Sequence, residues 1–112
     1  MTTNSAHGIV ITTFADENTL LKCVNGLLQL RLAACVQQLD AKSSYRWEGK
    51  IARDNEILVL IKTRSDLYDS VERYIKANHP YEVPEIIFVP ITNGSATYLG
   101  WLNAECDEAA EE

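Results

Sequence analysis

Residues 78–86 read Asn-His-Pro-Tyr-Glu-Val-Pro-Glu-Ile, so one imidazole, one phenol and two carboxylates fall between His79 and Glu85. A histidine ahead of a proline at a helix end is a candidate metal ligand or general acid, its charged form favoured by the helix dipole. The same residue can equally cap the last carbonyls of that helix or face solvent. Glu82 and Glu85 flank Val83-Pro84, and Lys62 ends the neighbouring strand. Together they offer a carboxylate pair and an amine for acid–base work, or an ordinary charged surface where a strand begins. A second cluster, Tyr45, Arg46, Trp47, Glu48 and Lys50, has the aromatic and arginine composition of interface anchors.

The cysteines add little chemistry. Cys23 falls on a predicted helix next to a core position, Cys35 falls in a strand, and Cys106 adjoins an acidic terminus where exposure is expected. None has a neighbour at metal-ligand spacing. The chain lacks a phosphate-binding loop, a dinucleotide fingerprint, a zinc-protease motif and a nucleophile elbow, so a non-enzyme is expected.

Four strands and three helices must hold these residues. The β-branched run at 8–14 predicts a buried strand. Asp16 supplies an N-cap, and Leu20, Val24, Leu27 and Leu28 set the apolar face of a helix reaching about residue 30. Residues 32–51 lack helical period and predict an extended strand leading to a turn near Arg53-Asp54-Asn55, with a central strand returning at 56–63. Ser65 is the expected cap of a second helix with Leu67, Val71, Tyr74 and Ile75 inward. Pro80 ends that helix at His79. A fourth strand at 85–91 carries Pro90, which suits a sheet edge. Asn93-Gly94 turns into a short amphipathic helix over 95–106. The order is the split β-α-β of a ferredoxin-like α+β fold: β-α-β-β-α-β plus a C-terminal helix, with an antiparallel sheet and both crossover helices on one face. The other face then needs cover, which further subunits would supply.

The 112 residues suit one domain over 1–106. Of the net charge of -6, Glu105, Asp107, Glu108, Glu111 and Glu112 contribute five of the 16 acidic residues, leaving 11 against 10 basic ones. An acidic tail over 107–112, solvated and disordered, is therefore expected beyond a nearly neutral body. No basic stripe exists to bind nucleic acid. An odd cysteine count, no secretory leader pattern and no 18-residue apolar run predict a soluble cytoplasmic protein without disulfides or a membrane span.

Residues 33–35 (Ala-Ala-Cys), 43–51 (Ser-Ser-Tyr-Arg-Trp-Glu-Gly-Lys-Ile), 61–63 (Ile-Lys-Thr), 79–86 and 98–102 (Tyr-Leu-Gly-Trp-Leu) resemble, in that order, the CutA family of divalent-cation-tolerance proteins. The resemblance runs from about residue 9 to residue 104. It implies a homotrimer of ferredoxin-like subunits joined by sheet pairing of long hairpins, with Tyr45, Trp47 and Trp101 at interfaces. It also implies a role in tolerance of copper and other divalent metals, no catalytic activity, and an intersubunit cleft near Lys62, Tyr81, Glu82 and Glu85. Copper-linked members take metal ligands from a cysteine late in strand one and a His-His pair before the proline. Here those positions hold Thr12 and Asn78-His79, so His79 alone is retained. A weaker Cu²⁺ or other divalent-cation site would pair it with Glu82 or Glu85; no cofactor is required. A departure at 35–45, where the family usually carries Val-Asn and a proline, bears on the bulge of strand two. The alternative to ligand binding is a trimeric scaffold that anchors an unidentified protein partner without metal chemistry.

Overall fold

The computed structural model describes residues 5–107. The elements run β1 (His7–Phe14), α1 (Glu17–Gln29), β2 (Cys35–Trp47), β3 (Lys50–Arg64), α2 (Tyr68–Ala77), β4 (Ile86–Pro90) and α3 (Ala96–Glu105), with a 3-10 turn at Ser65–Leu67 before α2. The sheet order is β2-β3-β1-β4 and every neighbouring pair is antiparallel. This is the ferredoxin-like α+β arrangement expected from the sequence.

The core lies between one sheet face and the helices. Alternation along the strands sends Val10, Thr12 and Phe14 of β1, Val59, Ile61 and Thr63 of β3, and Ile86 and Phe88 of β4 towards the helices. Leu20, Cys23, Val24 and Leu27 of α1, with Val71 and Ile75 of α2, close over them. Leu28, expected inward, is exposed, and Cys23 takes the inner position. Asp16 does cap α1, accepting from the Thr19 N–H at 2.9 Å. Gly26 lies against the other helix, its missing Cβ only 1.7 Å from the Tyr74 hydroxyl.

The hairpin differs from expectation. β2 continues to Trp47 and the chain reverses at Glu48-Gly49, both with positive φ (51° and 78°), not at Arg53-Asp54-Asn55. Those three polar residues instead pair with Ser44, Ser43 and Lys42. They are tolerated in a strand because this half of the hairpin carries no helix load: β1 reaches only Ile57, so residues 50–56 pair with β2 alone. A two-residue turn with both central residues at positive φ matches the strand twist, and Gly49 supplies the second at no steric cost.

Ser65 does not cap α2; its hydroxyl donates to the Ser5 carbonyl at 2.7 Å, tying the start of β1 to the end of β3. Helix α2 stops at Ala77, where the Asn78 amide donates to the Tyr74 carbonyl at 2.8 Å. Pro90 does lie on an edge strand. Cys106, expected exposed, is 4% accessible because α3 folds back on the core with Leu102 buried. Asp107 was expected in the acidic tail. Asp107 donates its N–H to the Arg31 carbonyl at 3.0 Å, and residues 108–112 lie outside the described residues.

Candidate functional site

The end of β1, the outer hairpin and the 79–85 loop meet at one place, and His79 joins them. Its Nδ1 accepts the Tyr81 N–H at 3.1 Å, which leaves Nε2 as the protonated nitrogen, donating to the Thr13 carbonyl at 2.6 Å. The ring stacks on Phe14 with centroids 4.3 Å apart. His79 is therefore a pin between loop and strand, with both nitrogens occupied.

The pinned loop forms one wall of a cleft of about 710 Å³. Tyr81, Glu82, Val83, Pro84 and Glu85 line that wall; Ser43, Tyr45, Trp47, Asp54 and Glu56 come from the hairpin, and Thr13 from β1. The strand contribution follows from the register. Thr13 faces Leu58, Ser43 faces Asp54, and these positions share the sheet face that turns away from the helices. Tyr81 donates its hydroxyl to Glu56 at 3.0 Å, and Tyr45 donates to Asp54. Burial first, and then the Glu56 carboxylate, push the Tyr81 phenol up to about 12. The Asp54 bond, with a smaller part from burial, raises Tyr45. Both phenols thus stay protonated and orient two carboxylates. Glu82 and Glu85 make no hydrogen bond or ion pair among the described residues and stand exposed at the mouth.

Lys62, placed in the cleft by expectation, is not brought there within the subunit. It sits six positions along β3 from Glu56, opposite Ile9 and Cys35, with Nζ 5.6 Å from the ring centroid of Tyr98. Trp101 lies at that same end, 5.6 Å from Tyr98 and exposed. Tyr45 and Trp47 are also exposed, but at the cleft. The three expected interface aromatics therefore mark two separate ends of the subunit.

His79 was expected as a metal ligand, and both its ring nitrogens are engaged in hydrogen bonds. A cation at either nitrogen must displace the Tyr81 amide or the Thr13 carbonyl. Thr12 is buried on the helix side of the sheet, so its hydroxyl points away from the cleft. Asn78 is spent on the Tyr74 carbonyl. Among the described residues no three His, Cys, Asp or Glu side chains converge into a set able to hold a metal ion. The residues do not fit the copper constellation.

Asp54 and Glu56 carry no signal in the sequence beyond a turn and a strand start, and only the hairpin register brings them under Tyr45 and Tyr81. Arg31 gives no local signal either. At φ 58°, it donates to the Ala104 and Glu105 carbonyls at 2.7 and 3.0 Å and holds the C-terminus of α3.

Residues 8–105 match the family profile "CutA1 divalent ion tolerance protein". "Protein CutA, chloroplastic" of Arabidopsis thaliana is 43% identical over 95 residues, 84% of this chain and 52% of its own; the chain spans about half of that relative. "Divalent-cation tolerance protein CutA" of Pyrococcus horikoshii is 42% identical over 97 residues, 87% of this chain and 95% of its own. Its crystal structure superposes with a TM-score of 0.85, covering 90% of this chain and 99% of that one at 40% identity. The "periplasmic divalent cation tolerance protein CutA" of Archaeoglobus fulgidus superposes at 0.84, with 32% identity and coverage of 95% and 99%. These names overturn the cytoplasmic expectation. Relatives with this degree of similarity are called chloroplastic and periplasmic, so composition and cysteine count do not assign this chain a compartment. No helix among the described residues is long and apolar enough to cross a membrane.

Proposed function

The chain belongs to the CutA1 family of divalent-cation-tolerance proteins, and on that premise we propose that it serves metal tolerance as a non-catalytic homotrimer whose clefts bind a ligand at subunit borders. The observation that carries this reading is the sheet face opposite the helices. Leu39, Ile87 and Val89 are 49%, 49% and 43% exposed there, and Ile9, Ile11, Leu58 and Leu60 share that face by register. A continuous apolar face of this kind on a small subunit favours cover by further copies. The cleft residues Thr13, Ser43, Tyr45, Asp54 and Glu56 continue the same face beyond its apolar part. Covering the face therefore sets the cleft at the rim of the interface, where a neighbouring copy can sense or seal it. The lack of free donors at His79 supports a contribution to cation tolerance other than chelation by the expected copper ligands.

Light scattering tests the assembly. The expected mass is about three times the 12.6 kDa chain, and Leu39→Asp, which sets a charge in the middle of the apolar face, is expected to give monomers. A monodisperse wild-type monomer would overturn the reading.

A further inference from the structure

One face of β3 carries an uneven row of side chains. Asp54 and Glu56 come first, then Leu58 and Leu60, then Lys62. These alternate positions share the sheet face opposite the helices, because Val59, Ile61 and Thr63 between them are buried on the helix side. The row is acidic at the cleft, apolar in its middle and basic at its far end. Six strand positions separate Lys62 from Glu56 of its own chain by about 20 Å, well beyond the reach of a lysine side chain.

Each end holds a charge that its own chain does not offset. Asp54 and Glu56 accept from the Tyr45 and Tyr81 hydroxyls, which are neutral donors. These bonds fix the carboxylates while leaving lone pairs on each for the three N–H donors of an ammonium. Lys62 makes no ion pair among the described residues; its Nζ lies 5.6 Å from the Tyr98 ring centroid.

Cover of this face by further copies decides how those charges are met. In a cyclic trimer every contact is heterologous, so one patch of a subunit meets a different patch of the next. The exposed aromatic residues form two such patches, Tyr45 and Trp47 at the cleft and Tyr98 and Trp101 beside Lys62. Ile9 and Ile11 of β1, opposite Lys62 and Leu60, join the patches through an apolar middle. Opposite signs at the two ends favour head-to-tail packing. Packing like ends together sets carboxylate against carboxylate and desolvates each lysine without a counter-charge, which is strongly unfavourable.

We infer that Lys62 of a neighbouring copy enters the cleft and sets its ammonium among the carboxylates of Asp54, Glu56, Glu82 and Glu85. Each cleft is then built from two chains and is complete only in the closed ring. The inference rests on the proposed homotrimer and names the contact that joins its copies.

Carbodiimide coupling tests it, since the reagent joins an amine to a carboxylate only where the two touch. Wild-type trimers assembled from ordinary and heavy-nitrogen-labelled chains are coupled, digested and read by mass spectrometry. The expected product is an amide between Lys62 of one chain and a cleft carboxylate of another, seen as a peptide pair of mixed label. In a second arm, Lys62→Met and Glu56→Gln are each expected to raise the trimer's dissociation constant at least about tenfold. The double substitution should raise it little further, because both changes remove the same pair. Coupling of Lys62 only to acids outside the cleft, or no mixed-label Lys62 product from an intact trimer, overturns the inference and leaves the trimer standing. Additive effects of the two substitutions overturn it as well. A wild-type monomer removes the trimer and the contact together.

Discussion

Replacing His79 by alanine separates a structural pin from a metal ligand. The substitution deletes the bond from Nε2 to the Thr13 carbonyl at 2.6 Å, the bond from the Tyr81 amide to Nδ1 at 3.1 Å, and the stack on Phe14 at 4.3 Å. Each hydrogen bond is worth about 1 kcal/mol net, and a stacked aromatic pair adds about 1 kcal/mol. The Tyr81 amide and Thr13 carbonyl lose their ring partner in a part-buried setting, which adds to the loss where water does not replace it. The expected destabilisation is about 2–4 kcal/mol. Denaturant unfolding at fixed subunit concentration should show a lower midpoint with an unchanged slope. A second arm titrates Cu²⁺ and Zn²⁺ calorimetrically into wild type and variant, with the same heats expected from both. A stability change within about 0.5 kcal/mol of zero, or a stoichiometric heat in the wild type that His79→Ala abolishes, would refute the pin and restore the ligand.

Other outcomes follow from single contacts. Gly26→Ala improves helix propensity by about 1 kcal/mol, but its new methyl collides with the Tyr74 hydroxyl; a net loss of about 1–2 kcal/mol is expected in thermal unfolding, and pairing it with Tyr74→Leu should recover most of it. Arg31→Ala removes both bonds to the last carbonyls of α3, so the α3 amides should lose hydrogen-exchange protection before the sheet does, with a cost of about 1–2 kcal/mol. Tyr68 and Tyr81 are each pushed up to about 12, by burial first and then by Glu72 and Glu56 respectively. Because the folded state holds these protons more tightly, their contribution is full below the unfolded value of about 10 and is lost as pH rises towards 12. Absorbance titration of the tyrosinate band should show a late-ionising pair of phenols, one of which disappears in Tyr81→Phe.

Where the physics is local, the sequence was sufficient. Asp16 caps α1 as a side-chain acceptor for the third residue on, because such a cap needs only neighbours; Ser65, expected to do the same for α2, is drawn instead to the Ser5 carbonyl. Pro80 stops α2 because its ring crowds the residue before it. The apolar period of β1, α1 and α2 placed most of the core, since burying one face supplies most of the favourable free energy of any amphipathic element. The polar composition of residues 53–55 misled for a physical reason: turn-like residues are permitted in strands that project beyond the helical layer, where both faces are free of the core. The Glu48-Gly49 dipeptide with its positive φ values was the better turn signal.

The sequence by itself determined the element order, the family and the residue types that chemistry could use. Tertiary structure decided what those residues are free to do. His79 is committed to a carbonyl 66 positions earlier in the chain, Lys62 is carried to the far end of β3, and Cys106 is buried by the return of α3. Asp54 and Glu56, unremarkable in the chain, become the inner carboxylates of the cleft only through a register set over thirteen paired residues of the hairpin. The reason is common to all five. A side chain's chemistry depends on its desolvation and on which partners have already used its donors and acceptors, and those partners come from distant segments that only the folded chain brings together.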